Sequence, residues 1–182
     1  SLFILVVNYM DLDADTTKNI VWLSVNASYS HSSFALACVH AATPSSSLWQ
    51  WAEVRATLKD SRWGIVKRLL ECEPGVVAAT VYLFNRDLIM SVIERFAALH
   101  PECTIVLGGP EFLGDNKQFL KDYTFVDAVF RGEADLSFGQ FLNATGNRRD
   151  WLAVEGLCWF DEERQYHDNG TAIIADNLDT MP

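Results

Sequence analysis

The sequence lacks the motifs that most directly identify an enzyme. It contains no P-loop, no Gly-x-Ser-x-Gly, no His-Glu-x-x-His and no paired-carboxylate motif. Gly-x-Gly-x-x-Gly is also missing after the first predicted strand, which argues against a dinucleotide site. These absences favour a binding module over a chain that catalyses a reaction by itself.

Cysteine is sparse and scattered. The four cysteines are widely separated, and neither Cys-x-x-Cys nor Cys-x-x-x-Cys-x-x-Cys occurs. This spacing excludes a zinc-like cluster and makes a disulfide framework a poor interpretation. We therefore predict free thiols in a reducing cytoplasm.

Positive charge and long apolar runs are also in short supply. There are 14 Lys and Arg against 24 Asp and Glu, giving a net charge of −10. Without a basic stripe to neutralise phosphates, a nucleic-acid partner is not expected. The apolar stretch 2–7 is far too short to span a bilayer and acidic residues follow it, so no membrane association is expected. We interpret residues 1–19 as an N-terminal extension.

From residue 20 the chain alternates short apolar runs with amphipathic stretches. The pattern predicts strands at 20–25, 54–58, 76–83, 104–107 and 128–130, each followed by a helix. Five such units predict a flavodoxin/Rossmann-like α/β domain over 20–146, with a five-stranded parallel sheet in the order 2-1-3-4-5 and helices on both faces. Beyond Gly146 the pattern changes to a C-terminal β-hairpin, so residues 147–182 are predicted to be hairpin and linker.

The fourth predicted strand ends in the most informative stretch of the chain. Its β-branched run stops at Gly108 and Gly109, Pro110 fixes the exit direction, and Glu111 follows. Glycines allow close approach to the backbone, and ligands of open α/β sheets bind outside the carboxyl ends of strands. Gly-Gly-Pro is also an ordinary turn sequence, so the stretch predicts either a turn or the wall of a ligand site.

A hydroxyl-rich loop follows the first predicted strand, where residues 26–33 read NASYSHSS. Hydroxyls and backbone amides at the start of a helix can hold an anionic or amide-rich ligand. The simpler alternative is a turn followed by a helix cap at Ser32 or Ser33. The candidate ligand contacts in this loop are Asn26, Ser28, Tyr29, Ser30, His31 and Ser32.

The third and fifth strands also end in polar residues. Alternation places Thr80 and Tyr82 on one face with Thr80 deeper, and Asn85 is predicted to cap the next helix. Strand 5 ends in Arg131-Gly132-Glu133, whose charges either bridge to a neighbouring domain or form a salt bridge at the rim. The candidate contacts from strands 3, 4 and 5 are Thr80, Tyr82, Leu83, Gly108, Gly109, Pro110, Glu111, Arg131, Gly132 and Glu133.

Together these stretches resemble the N-terminal cobalamin (vitamin B12)-binding domain of radical SAM family proteins. The resemblance covers about residues 20–182 and depends on the order and spacing of short motifs. These are NASYSHSS at 26–33, PGVV at 74–77, LGGPE at 107–111, FVDAVFRGEA at 125–134, GL at 156–157 and DNLD at 176–179.

The resemblance implies a corrin ring lying over the carboxyl edge of the sheet, with its nucleotide tail inserted beside the first loop. The tail would pass Thr80 and Tyr82 and lie against Gly108 and Gly109, with the Thr80 hydroxyl facing its benzimidazole. The partners it implies are the corrin cofactor and a radical SAM catalytic domain of the same parent chain. S-adenosylmethionine and a 4Fe-4S cluster are expected only in that domain, since no three-cysteine motif occurs here.

One loop departs from the related pattern of methionine-synthase-type cobalamin domains, Asp-x-His-x-x-Gly. In that pattern the His ligates cobalt and the Asp tunes it. Here the same spacing reads Tyr29-x-His31-x-x-Phe34. Because a ligating imidazole is normally oriented by a carboxylate, His31 is retained only as a candidate cobalt ligand. The bulkier Phe34 is expected to narrow the groove for the tail.

Three functions are consistent with the sequence. The preferred one is a cobalamin-binding module of a radical SAM enzyme, with methyl transfer or related radical chemistry performed by a catalytic domain outside this chain. The second is a degenerate docking or substrate-gating module that binds no corrin. Tyr29 and Phe34 favour it, together with Trp49 and Trp51. The third is a flavodoxin-like binder of FMN or another small phosphorylated ligand, which is disfavoured because the first loop lacks a tight phosphate cradle.

Overall fold

The fold of the chain is an α/β sandwich around one sheet, as seen in a computed structural model that describes residues 18–27, 34–43 and 48–172. The strands are β1 (Lys18–Asn26), β2 (Trp49–Thr57), β3 (Val76–Thr80), β4 (Thr104–Gly108), β5 (Ala128–Phe130), β6 (Leu157–Phe160) and β7 (Tyr166–Asp168). The helices are α1 (Phe34–Ala42), α2 (Arg62–Glu71), α3 (Arg86–Leu99), α4 (Lys117–Asp122) and α5 (Phe138–Ala144), with 3₁₀ turns at Pro110–Phe112 and Arg148–Ala153.

The strands form a single seven-stranded sheet in the order β2-β1-β3-β4-β5-β6-β7. Strands β1 to β5 are parallel, and β6 and β7 are antiparallel to their neighbours. The predicted order 2-1-3-4-5 is therefore confirmed. The predicted hairpin also forms, but it extends the same sheet beyond β5, so the sheet has seven strands where the sequence predicted five and a separate hairpin.

Helices cover both faces of the sheet, as predicted. Side chains alternate along β3, so that Val77 and Ala79 face α2, α3 and α4, whereas Val76 and Ala78 face α1 and α5. Each face thus buries its own apolar cluster, and the two clusters share no buried residue. The face covered by α1 and α5 carries the site described below.

Several element boundaries differ from the sequence-based expectations. Strand β2 begins at Trp49 and pairs with β1 along its whole length, although the predicted strand began at residue 54. Strand β3 stops at Thr80, which leaves Tyr82 in the turn before α3. Leu136 is exposed and lies before α5, which begins at Phe138.

The described helix starts differ in whether a side chain caps them. The Ser61 hydroxyl accepts a hydrogen bond from the Gly64 amide at 3.2 Å, as expected for the first turn of α2. Asn85 occupies the N-cap position of α3, but its side chain makes no capping hydrogen bond. The Asn85 side chain instead bonds to backbone groups of Val25, Thr80 and Tyr82 at the carboxyl edge of the sheet. Ser32 and Ser33 lie outside the described residues.

The hairpin is packed into the core on the α5 side. Trp151 and Trp159 are both almost completely buried and lie edge to face, with ring centroids 6.0 Å apart. Phe141 of α5 contacts Trp151 at 5.4 Å and also meets Phe130 of β5. The segment after residue 146 therefore completes the apolar cluster that α5 and β5 begin. Within the described residues, no helix is both long and apolar enough to cross a membrane.

Candidate functional site at the carboxyl edge of the sheet

A cavity of about 500 Å³ lies at the carboxyl ends of β3, β4 and β5, on the side covered by α1 and α5. Its lining is mostly apolar and is drawn from every element that reaches this edge. It includes Trp22, Phe34, Ala35, Cys38, Val39, Ala78, Thr80, Tyr82, Val106, Gly108, Gly109, Pro110, Leu113, Phe130, Gly132, Glu133, Ala134, Asp135, Phe138, Thr171 and Ala172. A cavity of this size is in the range of cofactor pockets.

Small side chains make the floor of the cavity. Ala78 of β3 lies beside Val106 of β4, and one step outward Thr80 lies beside Gly108. Residues two apart in a strand share a face, so all four are on the α1/α5 side. Because these side chains are short, they leave a trough along this face of the sheet. Aromatic rings fill the rest of the face.

Aromatic side chains flank this trough on both sides. Trp22 lies in register with Ala78 on the β1 side, and Phe130 lies beyond β4 on the β5 side. Phe138 of α5 contacts both rings, with centroids 5.7 Å from Trp22 and 5.9 Å from Phe130. The deep end of the cavity is therefore walled by flat aromatic surfaces, which suit a flat, largely apolar group.

The two consecutive glycines have different roles. Gly109 has φ +111°, and a Cβ there would lie 2.6 Å from the Val81 carbonyl oxygen. Its lack of a side chain is therefore required by the protein's own backbone. A Cβ at Gly108 would meet only the Phe130 Cβ, at an ordinary 3.8 Å. Gly108 is the position where an added side chain would enter the trough.

Asn85 holds the ends of two strands at the edge of the site. Its buried amide nitrogen donates to the Val25 carbonyl at 3.0 Å and to the Thr80 carbonyl at 3.3 Å. Its side-chain oxygen accepts from the Tyr82 amide at 2.8 Å. This one side chain therefore fixes the ends of β1 and β3 and the turn that carries Tyr82.

Carboxylates and a thiol line the cavity beside α1. Burial, and secondly the neighbouring charge of Glu133, raises the pKa of Asp135. Burial also raises the pKa of the Cys38 thiol, and the charges of Asp135 and Glu133 add to this effect. Cys38 is consequently a neutral thiol at pH 7, and the charge on this part of the lining is negative.

Seven of the predicted contacts line the cavity. They come from the ends of β3 and β4 and from the segment after β5, and they are Thr80, Tyr82, Gly108, Gly109, Pro110, Gly132 and Glu133. Five others, Ser28, Tyr29, Ser30, His31 and Ser32, lie outside the described residues, so His31 stays a prediction as a cobalt ligand. Elsewhere in the described part of the chain, no cluster of three or more metal-ligating side chains occurs.

Four predicted contacts are not part of the described lining. Asn26 is half-buried at the end of β1. Leu83 does not line the cavity and is 84% exposed. Glu111 faces Arg86, with 3.8 Å between its Oε2 and the arginine Nε.

Arg131, the fourth, turns away toward the hairpin. Its guanidinium pairs with Asp168 of β7 at 2.8 Å and donates to the Gly114 carbonyl at 3.0 Å. The predicted alternatives for Arg131 were an interdomain bridge and a rim salt bridge. The contact observed is a salt bridge that ties β5 to the hairpin.

Sequence reasoning missed several residues that line the cavity. Trp22, Cys38 and Phe138 lie within elements and Asp135 lies in the turn before α5, and none of them belongs to a motif that marks it as a site residue. Strand alternation offered one signal, because Trp22 shares a face with Ser24 and Asn26 further along β1. Only the register of β1 against β3, however, places Trp22 beside the trough.

The fold and cavity together define an α/β domain with a deep apolar ligand groove at the carboxyl edge of its sheet. Solved structures share this fold. The cobalamin-dependent S-adenosylmethionine radical enzyme OxsB, with aqua-cobalamin and S-adenosylmethionine bound, has a TM-score of 0.70 at 12% identity, over 88% of this chain and 23% of that one. The radical S-adenosylmethionine methyltransferase TsrM from Kitasatospora setae, with cobalamin and a [4Fe-4S] cluster bound, has a TM-score of 0.66 at 15% identity, over 92% of this chain and 31% of that one.

Two curated proteins are similar in sequence. The cobalamin-dependent radical SAM methyltransferase TokK of Streptomyces tokunonensis is 28% identical over 86 residues, which is 47% of this chain and 13% of TokK. The uncharacterized methyltransferase PH0819 of Pyrococcus horikoshii is 21% identical over 118 residues, 65% of this chain and 25% of that protein. No protein-family model matches the chain. The chain thus spans a quarter or less of the length of these two relatives. The predicted resemblance to cobalamin-dependent radical SAM proteins is confirmed.

Proposed function

We propose that this chain is a cobalamin-binding module of a radical SAM enzyme. The observation that carries the proposal is the apolar trough at the carboxyl edge of the sheet, with its floor at Ala78, Thr80, Val106 and Gly108. The structural neighbours with cobalamin bound share this fold. Bound cobalamin would supply a cobalt centre able to carry a methyl group, for methyl transfer or a related radical reaction in a catalytic domain of the parent protein.

The residues of the trough fit the nucleotide tail of cobalamin. Gly108 and Ala78 leave room for a ring against the sheet, and Phe130 and Phe138 offer apolar contact on one side. Thr80 lines the cavity, and we propose that its hydroxyl bonds to the tail. The residues at the cavity mouth would then contact the corrin ring itself.

The charge of the lining supports this ligand over a flavin phosphate. Glu133 and Asp135 bring negative charge to the cavity, and carboxylates accept hydrogen bonds from the primary amides that surround a corrin ring. These carboxylates would repel a phosphate monoester more strongly than the singly charged phosphodiester of the cobalamin tail. No Arg or Lys is found in the described lining to offset them. An FMN site is therefore disfavoured.

Exposed apolar side chains surround the cavity mouth and suit a covered surface. Phe34 is 82% exposed at the start of α1, and Leu113 and Leu136 are 61% and 53% exposed. The neighbouring rings of Tyr82 and Phe84 are stacked 5.6 Å apart. Apolar groups concentrated at one edge mark an interaction site. We propose that the corrin and the catalytic domain of the parent protein cover this edge.

The same apolar edge favours one alternative function, a docking module that binds no corrin. Phe34, which the sequence analysis expected to narrow the groove, lines the cavity but is mostly exposed, so it does not fill the trough. Phe34 therefore gives the docking alternative no support by narrowing the groove, whereas Tyr29 lies outside the described residues. The binding experiment below separates it from the cobalamin module.

The test is retention of cobalamin by the purified chain. We expect hydroxocobalamin to remain bound after desalting, with a shifted visible spectrum, and Gly108→Val to lose it because the new side chain enters the trough. Gly146→Val is the matched control, since a Cβ there meets no atom within 4 Å and the residue lies beyond the far end of α5. Absence of retained corrin at high micromolar cobalamin would contradict the proposal and favour the docking module.

The predicted compartment belongs to the same proposal. All four cysteines are free, and burial raises the pKa of the Cys103 thiol to about 12. Unpaired, protonated thiols suit a reducing compartment. We propose the cytoplasm on this ground.

A further inference from the structure

The segment that follows the hairpin forms part of the cavity wall. Its residues Thr171 and Ala172, here called the exit segment, both line the cavity, and Ala172 is 5% exposed. The Ala172 amide donates to the Arg131 carbonyl at 2.9 Å, and a parallel bridge joins Ala172 to Gly132 just beyond β5. The path along which the chain continues is therefore held at the same edge of the sheet as the ligand site.

Two glycines form the slot that holds the exit segment. Gly132 has φ +87° and Gly156 has φ +75°. A Cβ at Gly132 would lie 2.9 Å from the Thr171 Cγ2 atom. A Cβ at Gly156 would lie 2.7 Å from the Ala172 Cβ and equally close to the Arg131 carbonyl oxygen, to which Ala172 bonds. A side chain at either glycine would thus displace the exit segment from its slot.

The hairpin before the exit segment is anchored separately. Asn169 donates its side-chain amide to the Trp151 and Val154 carbonyls, each at 2.7 Å. The hairpin would therefore stay in place if the exit segment left its slot. The exit segment itself is held by the Ala172 bond and by its fit against the two glycines, and a ligand in the cavity would contact it directly.

We infer that the exit segment is a positioning element that responds to the ligand. Cobalamin in the cavity holds Thr171 and Ala172 in the slot and so fixes the direction in which the chain continues. The inference rests on the proposed function. Because coupling between two sites is reciprocal, the seated exit segment also strengthens cobalamin binding. A catalytic domain joined through this segment is then oriented best when the cofactor is bound.

The first experiment measures cobalamin binding by the full chain from the visible spectrum. We expect Gly156→Ala to weaken binding about five- to tenfold, because the seated, binding-competent state becomes a minor fraction. Gly170→Ala is the matched control, since its φ of +80° imposes a similar strain while a Cβ there meets no atom within 4 Å. This control should bind within about twofold of wild type.

The second experiment uses the wild-type chain, so it decides the question even if Gly156→Ala does not fold. Amide exchange is measured at Ala172 without cobalamin and with free cobalamin at about ten times its Kd. Exchange at Ala172 should slow about tenfold, because the open state that cannot bind the ligand becomes rarer by that factor. The Gln165 amide, bonded to Asp161 at 2.8 Å in the hairpin turn, should keep its rate.

Three results would overturn the inference and leave the proposed function intact. They are an unchanged rate at Ala172, equal slowing at Ala172 and Gln165, and wild-type affinity in a folded Gly156→Ala variant. Wild-type protein that retains no cobalamin overturns both the inference and the proposed function.

Discussion

Individual residues at the carboxyl edge separate the demands of folding from those of binding. Gly108 and Gly109 are adjacent and look equivalent in the sequence, yet only Gly109 has a positive φ and a backbone oxygen in the position of its missing Cβ. The sequence identified the pair as a turn or a ligand wall, and the two residues divide those roles. A side chain is tolerated sterically at Gly108 and excluded at Gly109.

Gly109→Ala should destabilise the fold severely. The substitution forces a Cβ into a conformation that L-residues rarely adopt, 2.6 Å from the Val81 carbonyl oxygen. We expect the free energy of unfolding to fall by at least about 2 kcal/mol, measured by urea denaturation. Gly146→Ala, which adds the same methyl group in open space, should stay within about 0.5 kcal/mol of wild type. Equal stability of the two variants would contradict this account of Gly109.

Asp135 should show the cost of placing a carboxylate in the cavity. Its pKa is raised in the folded state, so the folded protein favours the protonated form and loses stability as the pH rises above the ordinary value of 3.8. Asp135→Asn removes that loss. We therefore expect the variant to be more stable than wild type at pH 7, with the advantage shrinking as the pH falls toward 4.

Urea midpoints at pH 7, 6, 5 and 4.5 measure this difference. Asp150→Asn, which removes the same charge from an exposed position in the turn Arg148–Ala153, controls for the general effect of lowering a net charge of −10. A stability gain that does not depend on pH, or that matches the Asp150→Asn variant, would contradict the prediction.

At the scale of elements, the sequence predicted which segments form strands better than it predicted where those strands end. Continuous apolar runs at 76–80 and 104–108 identify central parallel strands because both of their faces are buried. Local pattern could not show that β3 stops at Thr80, because Val81 to Leu83 continue the apolar run. The stop is imposed by Asn85, whose side chain bonds to β1 and to the following turn.

Asn85→Ala should therefore loosen the edge that carries the site. Three hydrogen bonds are lost, and the amide of Tyr82 and the carbonyls of Val25 and Thr80 lose a buried partner. We expect unfolding to be easier by about 2–4 kcal/mol. The measurement is urea denaturation, with amide exchange at Tyr82 as a local readout.

The control for this substitution is Asn143→Ala, an exposed position on α5. Its stability should remain within about 0.5 kcal/mol of wild type. If Asn85→Ala were equally mild, the bonds to β1 and to the turn would not hold this edge together.

The fold of the whole molecule depends on the C-terminal hairpin, which the local sequence pattern assigned to a segment separate from the α/β domain. A hairpin is recognisable from its alternation and its turn, but whether it stands alone or extends a sheet depends on tertiary pairing. Here β6 pairs with β5, and Ala172 returns to the cavity through a bond from its amide to the Arg131 carbonyl at 2.9 Å. Local pattern could not identify Trp22 as a cavity residue for the same reason. Trp22 lies beside the trough only because β1 pairs with β3.

A chain ending at Gly146 should therefore fail to fold cooperatively. Deleting the residues after Gly146 removes Trp151 and Trp159 from the apolar cluster and exposes the outer edge of β5. It also removes Arg148, which pairs with the half-buried Asp127 carboxylate. Burial already raises the pKa of Asp127 despite that arginine, so losing the arginine further disfavours its charged form. We expect loss of the cooperative urea transition and of the near-ultraviolet circular dichroism. Inserting two glycines between the exposed Glu162 and Glu163 alters the same hairpin only at its turn, so that chain should keep both signals. A truncated chain that unfolds cooperatively and retains cobalamin would instead make residues 18–146 an autonomous domain and the hairpin an accessory to it.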